Sequence, residues 1–256
     1  MTIHISAELS HVCPLDEITK HAAALESCGF HRVWIPDTLV SPWEVWLAAS
    51  IIMHETSRIQ IGLGVTNPYT RHPVVVAAMA ATMQRYSGGR LSIAMGKGIG
   101  RFLEKAGIEQ HATGVEECIG LLRDLIAGER TSFSGDAFQI DGIRLRTQPP
   151  ETAVPIYFAA GGPPSWEIAV RVADGITTFW DKFAAGNRKQ WVTDKTFPTA
   201  ALVPFSLSPE EFFGKQIGSL EDLKEQIEAM EAAGYDEAIV AYRDMADLES
   251  AATLIR

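Results

Sequence analysis

The chain has 256 residues, 46% of them hydrophobic, which is enough for one large core; an α/β barrel of this length forms a single domain spanning residues 1–256. A formal net charge of −10 argues against nonspecific nucleic-acid binding and against a polybasic membrane patch. Three widely spaced cysteines (Cys13, Cys28, Cys118) and seven histidines without His-x-x-x-His spacing leave no expectation of a disulfide framework or a metal site.

In chain order, short β-like runs alternate with amphipathic helical segments. Ile3–Leu9 reads as a strand. A helix follows, opened by Pro14, with Asp16 in its first turn and Gly29 as its stop. Arg32–Asp37 is a second strand, and Ser41-Pro42 open a helix to about Glu55. The run RIQIGLGV is a third strand; Pro73 begins a helix that ends near Ser87-Gly88-Gly89. RLSIAMG is a fourth strand, and Thr113 with Glu116 has the spacing of a capping box for the next helix. A hairpin turning at Ser134-Gly135-Asp136 interrupts the alternation. VPIYFAAGG, GITTFW, TAALVPF and DEAIVAY complete eight strands, with helices opened by Pro163-Pro164 and Ser219. Asp181–Pro198 is irregular and reads as a shortened helix or as a lid. The opening stretch shows no basic segment leading into an apolar run, and no apolar run spans a membrane, so a cytoplasmic location is expected.

Eight strands, most followed by a helix, predict an α/β fold of the (β/α)8 TIM-barrel type. Its chemistry belongs at the C-terminal strand ends. Those ends carry Glu8, Pro36-Asp37-Thr38, Gly64-Val65-Thr66-Asn67, Gly96-Lys97-Gly98, Ala159-Ala160-Gly161-Gly162, Phe179-Trp180, Pro204-Phe205 and Tyr242-Arg243. Glu8 shares a strand face with His4 and Ser6; there it is either a solvated end-of-strand charge or a carboxylate buried enough to serve as an acid. Thr66 and Asn67 either cap the turn before Pro68 or satisfy a heterocycle that presents alternating donors and acceptors. Tyr69, Arg71 and His72 read as loop supports. Lys97, Arg101 and Lys105 form a positive patch, either solvated surface or a seat for an anionic tail. The backbone N–H groups of Gly161 and Gly162 stand near a helix start, where a phosphate could bind. Trp180, Phe183 and Trp191 form either an apolar lid or the core of a compact helix.

Four segments carry a family resemblance: CGFHRVWIPD, GLGVTNPYTRHPVVVAAMAATM, SGGRLSIAMGKG and VPIYFAAGGPPSWEIAVRVADG. With them the chain resembles the bacterial luciferase-like superfamily, most of all the coenzyme F420-dependent methylenetetrahydromethanopterin reductase group. The match is nearly continuous to about residue 180, and the T-N-P-Y-x-R-x-P run is its most specific part. The resemblance implies a luciferase-like barrel, here lacking a long insertion near strand 7. It implies hydride transfer between F420 and a small molecule, a reduced pterin in the resembling reductase, in a homo-oligomer. Glu8 matches the position of a catalytic glutamate. Asp37, Gly64, Val65, Thr66, Asn67, Gly96, Lys97, Ala160, Gly161 and Gly162 fall at cofactor-binding positions, and a cis peptide is implied at Gly64–Val65. Two positions depart from the pattern: Thr38 stands where relatives often have histidine, and Ile99 where an acid is usual. FMN-dependent monooxygenation and noncatalytic flavin binding on the same scaffold are the rival readings.

Overall fold

Eight parallel strands close on one another in the computed structural model, which describes residues 3–181, 183–209 and 218–255. The strands are β1 (His4–Glu8), β2 (Arg32–Ile35), β3 (Gln60–Thr66), β4 (Leu91–Met95), β7 (Ile156–Ala159), β8 (Gly175–Phe179), β9 (Thr199–Phe205) and β10 (Glu237–Tyr242). The first and last pair side by side, His4 opposite Glu237 and Glu8 opposite Ala241, which closes the barrel. The antiparallel hairpin of β5 (Thr131–Ser134) and β6 (Gln139–Ile143) stands outside it. No helix among the described residues is long and apolar enough to cross a membrane.

Alternation along the strands separates two apolar cores. One face, including Val33, Ile61, Leu63, Ile93, Phe158 and Val240, packs against the surrounding helices. The other fills the barrel itself with Trp34, Ala94, Tyr157, Ala200, Leu202, Ile239 and Ala241. A parallel barrel buries both faces, which is why its strands read as nearly continuous apolar runs.

The helices are α1 (Ile18–Cys28), α2 (Val45–Glu55), α3 (Pro73–Tyr86), α4 (Gly100–Lys105), α5 (Gly114–Ile126), α6 (Pro163–Val172), α7 (Ala184–Trp191), α8 (Leu220–Ala232) and α9 (Met245–Ala252). Gly29 ends α1 with a left-handed backbone at φ 86°, a conformation that suits glycine. Pro73 stands in the first turn of α3, where its missing N–H costs nothing, and His72 accepts from the Val74 N–H.

Two expected helix starts differ. Helix α2 begins at Val45, not at Ser41-Pro42, because the Glu44 side chain supplies the cap by accepting from the Leu47 N–H. Thr113 precedes α5 without a capping box: its hydroxyl donates to Glu117 at 2.6 Å, and Glu116 instead pairs with Arg171. The irregular segment after β8 contains the short helix α7, with Trp180 bonded to Gln226 and set edge-on to Tyr235.

Candidate active site

A cavity of about 670 Å³ opens at the C-terminal ends of the strands. Its floor is the upper layer of the barrel interior, with Trp34, Ala94, Leu202 and Ile239 facing up. Its walls bring together residues from distant parts of the chain. Glu8, Asp37, Gly64, Val65, Gly96, Lys97, Ala160 and Gly161 all line it, as the positions of their strand ends require. Thr66, Asn67 and Gly162 do not line it.

The Gly64–Val65 peptide is cis. The pairing of β3 with β4 shifts register between Leu63 and Thr66, so the strand bulges there and Val65, 38% exposed, faces the cavity. Two glycines make room for this arrangement. A Cβ on Gly64 would lie 2.5 Å from the Trp34 ring, and one on Gly96 would lie 2.6 Å from the Val65 side chain.

The polar cluster after the bulge turns inward on itself. Thr66 donates to the Asp37 carboxylate at 2.6 Å, and Arg71 reaches the same oxygen at 2.7 Å. The second guanidinium nitrogen of Arg71 bonds Glu44, so one arginine ties the β2 loop, the start of α2 and the β3 loop together. Asn67 accepts from the backbone N–H groups of Tyr69 and Thr70, each at 3.0 Å, which makes a side-chain-closed turn. Tyr69 donates to the His111 carbonyl at 2.7 Å. The cluster is thus the buttress of the bulge. The Asp37 contact absorbs the Thr66 hydroxyl, and turn closure absorbs the Asn67 carbonyl.

The Gly161 and Gly162 N–H groups are also engaged: both donate to the Ser165 hydroxyl, at 3.0 and 3.1 Å. Lys97 and Arg101 project along the β4–α4 wall as exposed cations. Trp180, Phe183 and Trp191, read as either a lid or the core of a compact helix, are absent from the cavity walls, whereas Phe179 at the end of β8 lines them.

Of the two carboxylates in the cavity wall, Asp37 is committed to Thr66 and Arg71, and the other is Glu8. It is 8% exposed, and burial raises its carboxyl from 4.5 to about 8. Burial also lowers the imidazole of His11, at the same wall. At neutral pH Glu8 is therefore predominantly protonated, able to donate a hydrogen bond or a proton into an apolar cavity.

Several lining residues on the strands escaped the sequence reading, among them Trp34, Thr177, Leu202 and Ile239. A usable signal existed. Alternation puts Leu202 on the same face of β9 as Ala200, and Ile239 on the same face of β10 as Ala241, so a period-two count along the strands reaches them. His11, Val40 and Phe102 come from loops and a short helix, where no such count applies.

Comparison with known proteins agrees with this architecture. A family model described as luciferase-like monooxygenase matches residues 1–194. A 5,10-methylenetetrahydromethanopterin reductase of Methanolobus tindarius is 31% identical over 209 residues, covering 77% of this chain and 63% of that protein. An F420-dependent hydroxymycolic acid dehydrogenase of Mycobacterium tuberculosis is 36% identical over 175 residues, covering 62% of this chain and 48% of that one. The chain spans roughly half to three-fifths of the length of these curated relatives. The solved coenzyme F420-dependent tetrahydromethanopterin reductase of Methanopyrus kandleri superposes with a TM-score of 0.82 at 18% identity, over 99% of this chain and 97% of that one. That likeness shows the shared barrel.

Proposed function

The chain belongs to the luciferase-like monooxygenase family, and on that premise we propose that it is an F420-dependent oxidoreductase. The single observation that carries the reading is a buried Glu8 in the wall of a cavity that also contains the cis Gly64–Val65 bulge. Two of the similar curated proteins are named for F420 or for reduction of a pterin, which supports the same cofactor here.

The residues present fit a flat ring with an anionic tail. The bulge offers backbone and the Val65 side chain as a platform. Gly96 and Gly161 keep the adjacent walls low, and a Cβ on Gly161 would meet nothing within 4 Å. Lys97 and Arg101 would take the phosphodiester and carboxylate groups of the tail. When bound, F420 supplies a deazaflavin carbon that gives or accepts hydride. The chain's part is orientation, exclusion of water and the placement of a proton. Glu8 would hold that proton beside the reacting atom of the substrate.

For the substrate, the finer reading is a methylene-bridged reduced pterin, reduced to its methyl form. Glu8 would then protonate the bridge. The reading includes one barrel domain acting in a homo-oligomer, which light scattering on the purified protein tests directly.

Titration of the purified protein with F420 and with FMN, followed by fluorescence, decides the cofactor. Binding of F420 is expected, and its absence ends this reading. Glu8→Gln is expected to lower the hydride-transfer rate by about 100-fold or more with F420 affinity nearly unchanged; an unaltered rate removes Glu8 from catalysis. A second reading, FMN-dependent monooxygenation, rests on the description of the matching family model. Binding of FMN without F420 selects it.

A further inference from the structure

The lower half of the barrel interior holds a charged pair that the proposed chemistry does not use. Arg32 and Glu237 form an ion pair at 2.5 Å, with side chains 8% and 6% exposed. Glu237 begins β10, and Arg32 begins β2. The other carboxylate oxygen of Glu237 accepts from the Trp34 indole N–H at 2.7 Å. Both oxygens therefore have a donor, one from a cation and one from the residue that floors the cavity.

Trp34 is gripped from three directions. Its ring edge occupies the space in which Gly62 and Gly64 lack side chains, 2.3 and 2.5 Å from where their Cβ atoms would be. Tyr157 meets it edge to face, with centroids 5.6 Å apart. The Arg32 guanidinium lies 5.0 Å from the ring centroid. Glu237 supplies the one hydrogen bond to the ring, and a charge-assisted bond in a closed interior is directional. A tryptophan held only by apolar contacts in a parallel barrel could tilt toward the opening.

We propose that Trp34 sets the depth of the cavity and that Glu237, paired with Arg32, is the positioning residue that holds the indole level beneath the Gly64–Val65 bulge. The inference rests on the reading of this cavity as the F420 site. It assigns to a pair at the closed end of the barrel a role in the geometry of the open end: Glu237 bears on Trp34, and Trp34 bears on whatever lies over the bulge.

The experiment uses the whole chain labelled with 15N, whose six tryptophans give six indole N–H signals. Trp34→Phe assigns the Trp34 signal by its disappearance. Glu237→Gln keeps an oxygen acceptor and removes the charge. It is expected to move the Trp34 signal upfield in the ligand-free protein, leave the other indoles in place, and weaken F420 binding by up to about tenfold, a bound set by the charge-assisted bond between Glu237 and the indole. An unchanged Trp34 signal and unchanged affinity would overturn the proposal. If Glu237→Gln does not fold because Arg32 is left without its counter-charge, the double variant Arg32→Gln/Glu237→Gln strands no charge and carries the same two readouts. A shifted signal with reduced affinity supports the role there, and no change overturns it. A native chain that binds no F420 refutes the cofactor reading; the ligand-free indole shift still decides whether Glu237 positions Trp34.

Discussion

Glu8 illustrates how little a residue's identity says before its surroundings are known. The same carboxylate at the end of a strand is a solvated charge in water and a protonated acid near pH 7 once buried. Its carboxyl, raised by burial from 4.5 to about 8, has a definite linkage consequence. The folded state keeps the proton after the unfolded state has lost it, so this contribution to stability is fully present below about pH 4.5 and is lost as the pH rises through about 8. Wild-type stability should decline across that interval, and Glu8→Gln should flatten the decline, read as denaturant midpoints at several pH values. Activity that depends on protonated Glu8 should fall above about pH 8. Asp37 is the contrasting case. Committed to Thr66 and Arg71, it anchors the bulge.

Between elements, the loops are pinned by carboxylates and guanidinium groups that cap backbone. Glu26 on α1 receives the N–H groups of Ser57, Arg58 and Ile59, which lead into β3. Burial would raise its pKa, but the three backbone donors outweigh that and hold it at about 2. Its contribution is therefore present above about pH 4.5 and disappears as the pH falls through about 2. Glu26→Gln should cost about 1 kcal/mol at pH 7, discounted for exposure, and the difference from wild type should shrink steadily below about pH 4.5; thermal melts at pH 7 and pH 3 test this, a smaller gap being expected at pH 3. Glu117 on α5 holds the outlying hairpin in the same manner, through the N–H groups of Asp136, Ala137 and Phe138. Arg90 does the converse at the end of α2, donating to the Met53 and Thr56 carbonyls from within the core.

At the scale of the molecule, the barrel works because its interior is filled unevenly. Large side chains (Trp34, Tyr157) stand opposite small ones (Gly62, Gly64, Gly175), and the space above them is left as the cavity. Gly62→Ala would place a methyl 2.3 Å from the Trp34 ring and should destabilise the fold by about 1–3 kcal/mol through overpacking. Denaturant unfolding measures it, and a stability equal to wild type would show that the interior gives way more easily than the packing indicates.

The order of eight strands and the excursion of the hairpin were legible from local pattern alone, and the family from its resemblance. Period-two and period-3.6 repeats record which face of each element is buried, and caps and prolines record most helix ends. The bulge at Gly64–Val65 followed from resemblance to a family, and the structure has it. Partners were not legible. Thr66 read as a turn cap or a ligand contact and Arg71 as a loop support, but the shared partner, Asp37 at 29 and 34 residues' distance, came only with the fold. Trp34 and Glu237 lie 203 residues apart and touch only because β10 closes against β1 and β1 against β2. A strand's own alternation says that a side chain points inward. Closure and register decide what it meets there, and that is fixed only when all eight strands are in place.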